Sequence, residues 1–510
     1  MLWAGPRARQ ASALWTGPHL DQVPRRTPSE RSTKLQMLIG GEWSPAASGS
    51  TEQVWSPFDG EVAGTVPVAG LADVQRALSS AEAGATAWRA VPAHERLAVM
   101  LRAADLAAER AAEVAGIITA ETGKTIREAT AEAARSAEII RLAAFEGAHL
   151  YGQSLPLDAN RGTGMDKLGF TVRQPCGVVV AVTPFNYPAL LVLHKLGPAL
   201  AAGNAVVLKP ARLAPLTALA LAGCFVDAGL PAGVLSVLTG PGGALGDALV
   251  GDGRVRKVSF TGSTATGEHI ARVAGVKRLS LELGASCPVV VLADADVEAA
   301  ASAIAVGGYV NAGQVCISVQ RVIAERAVAA DLTDALVAKV EAISLGDPRS
   351  ATTDMGALIS VDEAERVRRA IEGAVAGGAK LRTGGERDGA CMSPAVVSEV
   401  DPVSAFAQDE LFGPAVAVCV AEDWPAAIAQ ANGTAYGLAA GVFTNDVSAV
   451  VRAVREVDAG NVHINWTPLW RADLMPYGGV KGSGFGKEGP RAAVLEMTEE
   501  KTVILHGRPW

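Results

Sequence analysis

Between Cys176 and Asp294 the chain runs through Val178-Val179-Val180-Ala181-Val182, then Ala205 to Leu208, Val234 to Leu238, Val258 to Phe260 and Val289 to Leu292. Helical stretches closed by Gly or Pro separate these short β-branched runs. Near-continuous apolar strands alternating with helices are the pattern of a parallel sheet covered on both faces, because each parallel strand needs a crossover to bring the chain back. The fold class read from this stretch is α/β.

On its N-terminal side, from Leu71 to Leu150, apolar positions recur at helical spacing, as in Ala103-Ala104-Leu106-Ala107 and Ile139-Ile140-Ala143, which predicts amphipathic helix. On its C-terminal side a second alternation passes through Gln320 to Ala324, helices over Asp331 to Ile343 and Asp362 to Ala376, and strands near Ala415 to Val420 and Leu438 to Phe443. It predicts a second α/β domain. The closing run Lys501 to Leu505 reads as a terminal strand that needs another strand to receive it.

The 510 residues are 49% hydrophobic and 19% charged, which excludes disorder for most of the chain and suggests about three domains. A net charge of −8 argues against nucleic acid or anionic membrane as partner. The charge-free run from Gln174 to His194 is broken by Pro175, Pro184 and Pro188, so it is no membrane span. Six cysteines without CxxC spacing point to a reducing compartment, the cytoplasm by default, and seven dispersed histidines without HExxH predict no metal site. Residues 1–36, rich in Arg and without periodicity, read as a flexible tail that an over-extended start explains better than a transit peptide.

The chemistry concentrates around Cys316. Cys224 and Cys419 sit in apolar runs and read as inert core, whereas Asn311, Gly313 and Gln314 place Cys316 in a polar turn suited to a reactive thiol. Six signatures then occur in order: Phe185-Asn186-Tyr187-Pro188, Lys209-Pro210, Phe260-Thr261-Gly262-Ser263, Glu282-Leu283-Gly284, Gly313-Gln314-Val315-Cys316 and Glu410-Leu411-Phe412-Gly413-Pro414. With them the chain resembles the aldehyde dehydrogenase superfamily from Met37 to Leu505, and the 34-residue gap from Glu282 to Cys316 matches the family spacing.

The resemblance implies a Rossmann-type cofactor domain (37–151 and 174–284), an α/β catalytic domain (285–481) and a small β oligomerisation arm (152–173 and 482–510), assembled as a homodimer or homotetramer through a partner that receives the terminal strand. It implies Cys316 as nucleophile, Asn186 with the Cys316 N–H as oxyanion donors, and Glu282 as the base for thioester hydrolysis. It also implies that Lys209 contacts the adenine ribose, Glu410 the nicotinamide ribose and Phe412 the nicotinamide, with Gly262 and Ser263 opening a helix towards the pyrophosphate. Arg212 stands where NAD-preferring members carry Glu, so the cofactor is NAD or NADP with a lean to NADP. Gly484 to Gly489 matches GxGxxG but lacks the strand and the downstream acid, and reads as a decoy.

The run Asn465 to Lys481 is most similar to the branch acting on lactaldehyde, phosphonoacetaldehyde, sulfolactaldehyde and, without phosphorylation, glyceraldehyde 3-phosphate. Arg135, Tyr187 and Arg471 match three anion-holding positions of its phosphate-using members, while Val315 replaces a fourth, an arginine. The expected activity is oxidation of a small anionic aldehyde (phosphono-, sulfo- or phospho-) to the acid. Neutral lactaldehyde or succinic semialdehyde is the alternative, and a catalytically silent binding protein the alternative of another class. The plain structural reading pairs Arg135 with Glu132 or Glu138 and Arg471 with Asp473. Ala285, where the family has Gly, would strain its turn if its φ were positive.

Overall fold

A computed structural model describes residues 36–507, so all but the last residue of the expected tail lies outside the described residues. The decisive stretch forms the centre of an eight-stranded sheet in the order Glu42–Ser44, Met37–Ile39, Leu235–Val237, Ala205–Lys209, Val178–Val182, Val255–Thr261, Arg278–Glu282, Gly484–Phe485. The five strands from Leu235–Val237 to Arg278–Glu282 are parallel. Val179, Val180, Val206, Val207 and Val258 are wholly buried, each worth about 1.5–3 kcal/mol on removal from water. Strand order reverses between Val178–Val182 and Val255–Thr261, and the crevice beyond their carboxyl ends is where a doubly wound sheet takes its ligand.

The second sheet runs Lys380–Thr383, Ala395–Ser398, Ala415–Ala421, Arg321–Glu325, Pro288–Val291, Ala439–Phe443, Asn461–Ile464, antiparallel only at its first edge. Residues after Glu282 lead from the carboxyl edge of the first sheet to the amino edge of the second. Ala285, Cys287, Val315, Ile317, Ala439 and Tyr477 pack there in one small cluster with Cys316 and Tyr187. The site therefore lies between the two sheets.

The expected helical region is four helices, Leu71–Ala90, Ala93–Glu109, Ala111–Thr122 and Ile126–Ala148. The last begins at Thr125, whose hydroxyl accepts from Glu128 N at 3.3 Å, and buries Ala129, Ala133, Ala137, Ile140 and Ala144 along one stripe. Its neighbouring stripe of Glu128, Glu132 and Arg135 turns towards the site.

Two expectations about the C-terminal strand need correction. Thr498–His506 pairs over its whole length with Lys167–Pro175 of the same chain, so the strand is received without a partner subunit. The residues before it are not arm either: Gly484–Phe485 joins the first sheet and Pro490–Glu496 packs on helices of that region. The chain after Lys481 first completes the interior and only then enters the arm.

Among the described residues no helix is long and apolar enough to cross a membrane. No cysteine among the described residues is in a disulfide.

Candidate active site

Cys316 follows a tight turn, Val310–Gly313, in which Asn311 and Ala312 both adopt φ near 53°. Gly313 also has positive φ (69°), and a Cβ there would lie 2.1 Å from Gly413 O, so the cysteine loop and the Glu410-to-Pro414 loop touch backbone to backbone. Glu128 Oε1 accepts from Asn311 N at 2.8 Å, and Gln314 Oε1 accepts from Ile359 N at 2.9 Å. Neighbouring elements thus hold the turn in place.

Asn186 lies at the carboxyl end of Val178–Val182. Its backbone oxygen accepts from Lys124 Nζ (2.7 Å) and Asn311 Nδ2 (3.2 Å), and its Nδ2 donates to Gln314 O at 2.8 Å. A primary amide has two N–H bonds. One anchors Asn186 to the cysteine loop and the other is left for a ligand oxygen.

Lys124 is itself paired with buried Glu132 and stacks on the Tyr187 ring at 3.8 Å, while Glu132 accepts from Ala189 and Leu190 N–H at the start of Leu190–Ala201. Lys124 and Glu128 were not singled out from sequence, and Glu132 was named only as a partner for Arg135. Only the i, i+4 spacing of the two acids hinted at them.

Burial disfavours the charged forms of both Cys316 and Glu282. Burial pushes the Cys316 thiol up to about 12 against the opposing hydrogen bond with Tyr477 Oη at 3.1 Å. Burial, reinforced by the charge of Glu488, raises Glu282 well above the usual carboxylate range, and neither of its oxygens has a protein partner. A Cβ on Gly478 would come within 2.7 Å of Glu282 Oε1, so bare backbone makes room for that carboxyl. Ala285 has no positive φ, and its N–H donates to Glu410 Oε1 at 3.0 Å. The expected strain at this turn is absent.

The charged wall differs from the sequence expectation. Arg135 pairs with Asp473 rather than with an acid of its own helix, and Arg471 Nη1 donates to Glu488 Oε2 at 3.1 Å rather than to Asp473. Glu488 is buried, which raises it, but Lys195 (3.2 Å) and Arg471 outweigh this and hold it at about 2. Arg471 stacks over Tyr477 at 4.0 Å, and its Nε and Nη2 are buried without a hydrogen-bond partner. Arg135, Asn186, Tyr187, His194, Cys316 and Arg471 together line a cavity of about 90 Å³.

Glu488, His194 and Tyr477 were missed, and Asp473 was named only as a partner of Arg471. Glu488 lies inside the Gly484-to-Gly489 segment set aside as a decoy, and its carboxylate is held strongly acidic beside Lys195 and Arg471.

The cofactor residues border the switch-point crevice. Ser263 caps the helix Thr264–Ala274, its Oγ accepting from Thr266 N at 3.4 Å, so free N–H groups face the crevice beside Gly262. Lys209 is buried, which lowers it to about 8, and donates to Pro210 O (3.1 Å) and Gly240 O (3.0 Å). Burial raises Glu410 to about 7, and Phe412 packs edge-on against Phe185 with centroids 5.9 Å apart. Arg212 is exposed, and its Nε donates to Glu52 Oε2 at 2.7 Å.

A doubly wound sheet with an anion-ready helix start, opening onto a cysteine, a buried carboxyl and an amide donor, is the arrangement of a nicotinamide-dependent dehydrogenase. Residues 43–503 match the model of the aldehyde dehydrogenase family, and the chain belongs to that family. It is 42% identical over 470 residues to 3-sulfolactaldehyde dehydrogenase of Priestia aryabhattai, covering 92% of this chain and 98% of the relative.

Among solved structures it resembles NADP-dependent glyceraldehyde-3-phosphate dehydrogenase of Bacillus halodurans complexed with NADP, at TM-score 0.91 and 34% identity, covering 93% of this chain and 99% of that one. NAD-dependent aldehyde dehydrogenase of Sinorhizobium meliloti matches at TM-score 0.90 and 36% identity, covering 94% and 96%. The chain is an aldehyde dehydrogenase that uses NAD or NADP.

Proposed function

We propose that the chain oxidises a small anionic aldehyde, of the sulfo-, phosphono- or phospho-aldehyde class, to its carboxylic acid through a thioester on Cys316. The observation that carries the anionic reading is Arg471, whose two unpartnered buried nitrogens line the same cavity as Cys316 and Asn186. Unused N–H groups on a buried guanidinium are costly unless a ligand oxygen meets them. The similarity to a sulfolactaldehyde dehydrogenase supports the same class.

The Cys316 thiol gives up its proton to water and its sulfur attacks the carbonyl carbon, while the oxygen that becomes negative is met by the free N–H of Asn186 Nδ2 and by Cys316 N–H. When bound, the nicotinamide cofactor would supply the hydride acceptor for that carbon, and the positive charge of its oxidised ring would favour the thiolate form of Cys316. Loss of the hydride restores the carbonyl as a thioester. Glu282 then takes a proton from water, the hydroxide adds to the thioester carbon, and Cys316 leaves as thiolate to release the acid. Lys209, Glu410, Phe412 and the Gly262-Ser263 helix start hold the cofactor, while Tyr187 and Arg135 shape the aldehyde's side of the cavity.

Incubation with a panel of anionic and neutral aldehydes tests this reading. The expected result is one reduced cofactor and one carboxylic acid per aldehyde, fastest for the anionic members. Turnover only in the presence of coenzyme A or phosphate would contradict it.

A second reading, a neutral small aldehyde such as lactaldehyde, is favoured by Val315 beside the thiol and by the engagement of Arg135 with Asp473, with the carboxylate-bearing succinic semialdehyde as the other alternative. We propose further that the chain forms a homodimer or homotetramer in a reducing compartment such as the cytoplasm. Leu168, Val172 and Leu505, on one face of the paired strands, leave apolar surface exposed on the arm. A monomer by light scattering would contradict the assembly.

A further inference from the structure

The strand Thr51–Trp55 forms a two-stranded hairpin with Val62–Pro67 outside both large sheets. The base of this hairpin is tied to the carboxyl ends of two strands of the first sheet. Thr239 Oγ1 donates to Pro67 O at 2.5 Å, Ala69 N donates to Thr239 O at 2.9 Å, and Gly240 O, next along, accepts from Lys209 Nζ at 3.0 Å. The hairpin thus borders the part of the crevice assigned to the adenosine end of the cofactor.

Glu52 projects from that hairpin. Its side chain is 15% exposed, its Oε2 accepts from Arg212 Nε at 2.7 Å, and its Oε1 is buried with no partner. The carboxylate also acts through space on the buried ammonium of Lys209, raising it against the larger lowering effect of burial. A carboxylate oxygen accepts hydrogen bonds and donates none, so a buried one without a donor is a vacant acceptor.

We propose that Glu52 sets cofactor choice: its free Oε1 accepts the ribose hydroxyls of NAD+, and by holding Arg212 it turns away the 2′-phosphate of NADP+. The inference rests on the dehydrogenase reading of the site and deepens it. The two cofactors differ in a 2′-hydroxyl, which is a donor, against a phosphate of about −1.5 to −2 charge, which only accepts. Beside Glu52 the hydroxyl completes a hydrogen bond and the phosphate meets like charge. Arg212 alone points to NADP, yet its guanidinium is already bonded to Glu52 and must leave it to reach a phosphate. The preference drawn from Arg212 in isolation is therefore reversed.

Calorimetric titration of NAD+ and NADP+ into the aldehyde-free protein at fixed salt tests this, with wild type, Glu52→Gln and Arg212→Gln. Wild type is expected to bind NAD+ more tightly by at least about tenfold. Glu52→Gln is expected to bring the two affinities within about threefold of each other or to invert them. Arg212→Gln is expected to keep the NAD+ affinity and weaken NADP+ further. Competition by 2′-AMP against 5′-AMP is expected to show the same shift, placing it at the adenosine ribose. A wild-type preference for NADP+, or an affinity ratio that Glu52→Gln leaves unchanged, overturns the role of Glu52 while the dehydrogenase reading stands. Failure of folded wild type to bind either nucleotide overturns both.

Discussion

The two arginines of the substrate cavity are the same residue type facing the same space, and the fold treats them in opposite ways. Arg135 is 40% exposed, and Asp473 engages both its Nε and its Nη2. Arg471 is 12% exposed and spends only Nη1 on Glu488, leaving Nε and Nη2 buried and free. An arginine beside a cavity is a ligand group only to the extent that its donors are unspent. By that measure Arg471 is the anion-holding group in the proposed function, and Arg135 is a support of the wall.

The most severe way to separate chemistry from the charged wall is Cys316→Ala, expected to lower kcat by about four orders of magnitude or more with aldehyde and cofactor binding retained. Activity within tenfold of wild type would remove the thioester from the mechanism.

Glu282→Gln is expected to slow hydrolysis about 10²–10⁴-fold while a first-turnover burst of reduced cofactor persists. Because the Glu282 pKa is raised, the carboxyl keeps its proton to higher pH than an ordinary carboxylate, and it gains its proton-accepting form as pH rises. Wild-type thioester hydrolysis should accordingly speed up with pH, and the variant should lose that rise. An unchanged pH profile measured by stopped flow would exclude Glu282 as the base.

Lys195→Met probes the support beneath Arg471. It removes one of the two cations holding Glu488 and is expected to cost about 3–5 kcal/mol of stability, measured by denaturant unfolding. The pKa of Glu488 is lowered, so the stability it contributes is full above the unfolded carboxylate range and disappears as pH falls towards about 2. A loss under 1 kcal/mol would mean that Arg471 alone neutralises Glu488 and is less free than its geometry shows.

Arg135→Gln should change the preference for anionic substrates least, by no more than about threefold, in line with the small worth of a half-exposed ion pair. A larger change would put both arginines on the substrate.

What the sequence made legible follows the range of the interactions. Cys316, Asn186 and Glu282 could be named because each sits in a short motif whose neighbours fix its local conformation. Glu488 could not, since its meaning depends on Lys195, 293 positions away. Glu52 likewise gains its setting only when a hairpin reaches Arg212, 160 positions on.

The parallel strands were legible because buried β-branched runs are continuous. Asn461–Ile464 was not, being a half-buried edge strand with polar residues at alternate positions. Ala395–Ser398 was too short to stand out between Pro394 and Glu399, the latter at φ 55°. The terminal strand was visible, but its recipient was not, because nothing local tells Thr498–His506 that its partner is Lys167–Pro175.

The most direct test of the central claim is the ratio of kcat/KM for sulfolactaldehyde over propanal in wild type and in Arg471→Lys, which keeps a positive charge beside Glu488 but loses the free guanidinium donors. The expected ratio is about a hundredfold in wild type, or about 2.7 kcal/mol of transition-state binding, falling by at least about tenfold in the variant. A ratio near one in wild type, or one that Arg471→Lys leaves unchanged, would contradict an anion held by Arg471.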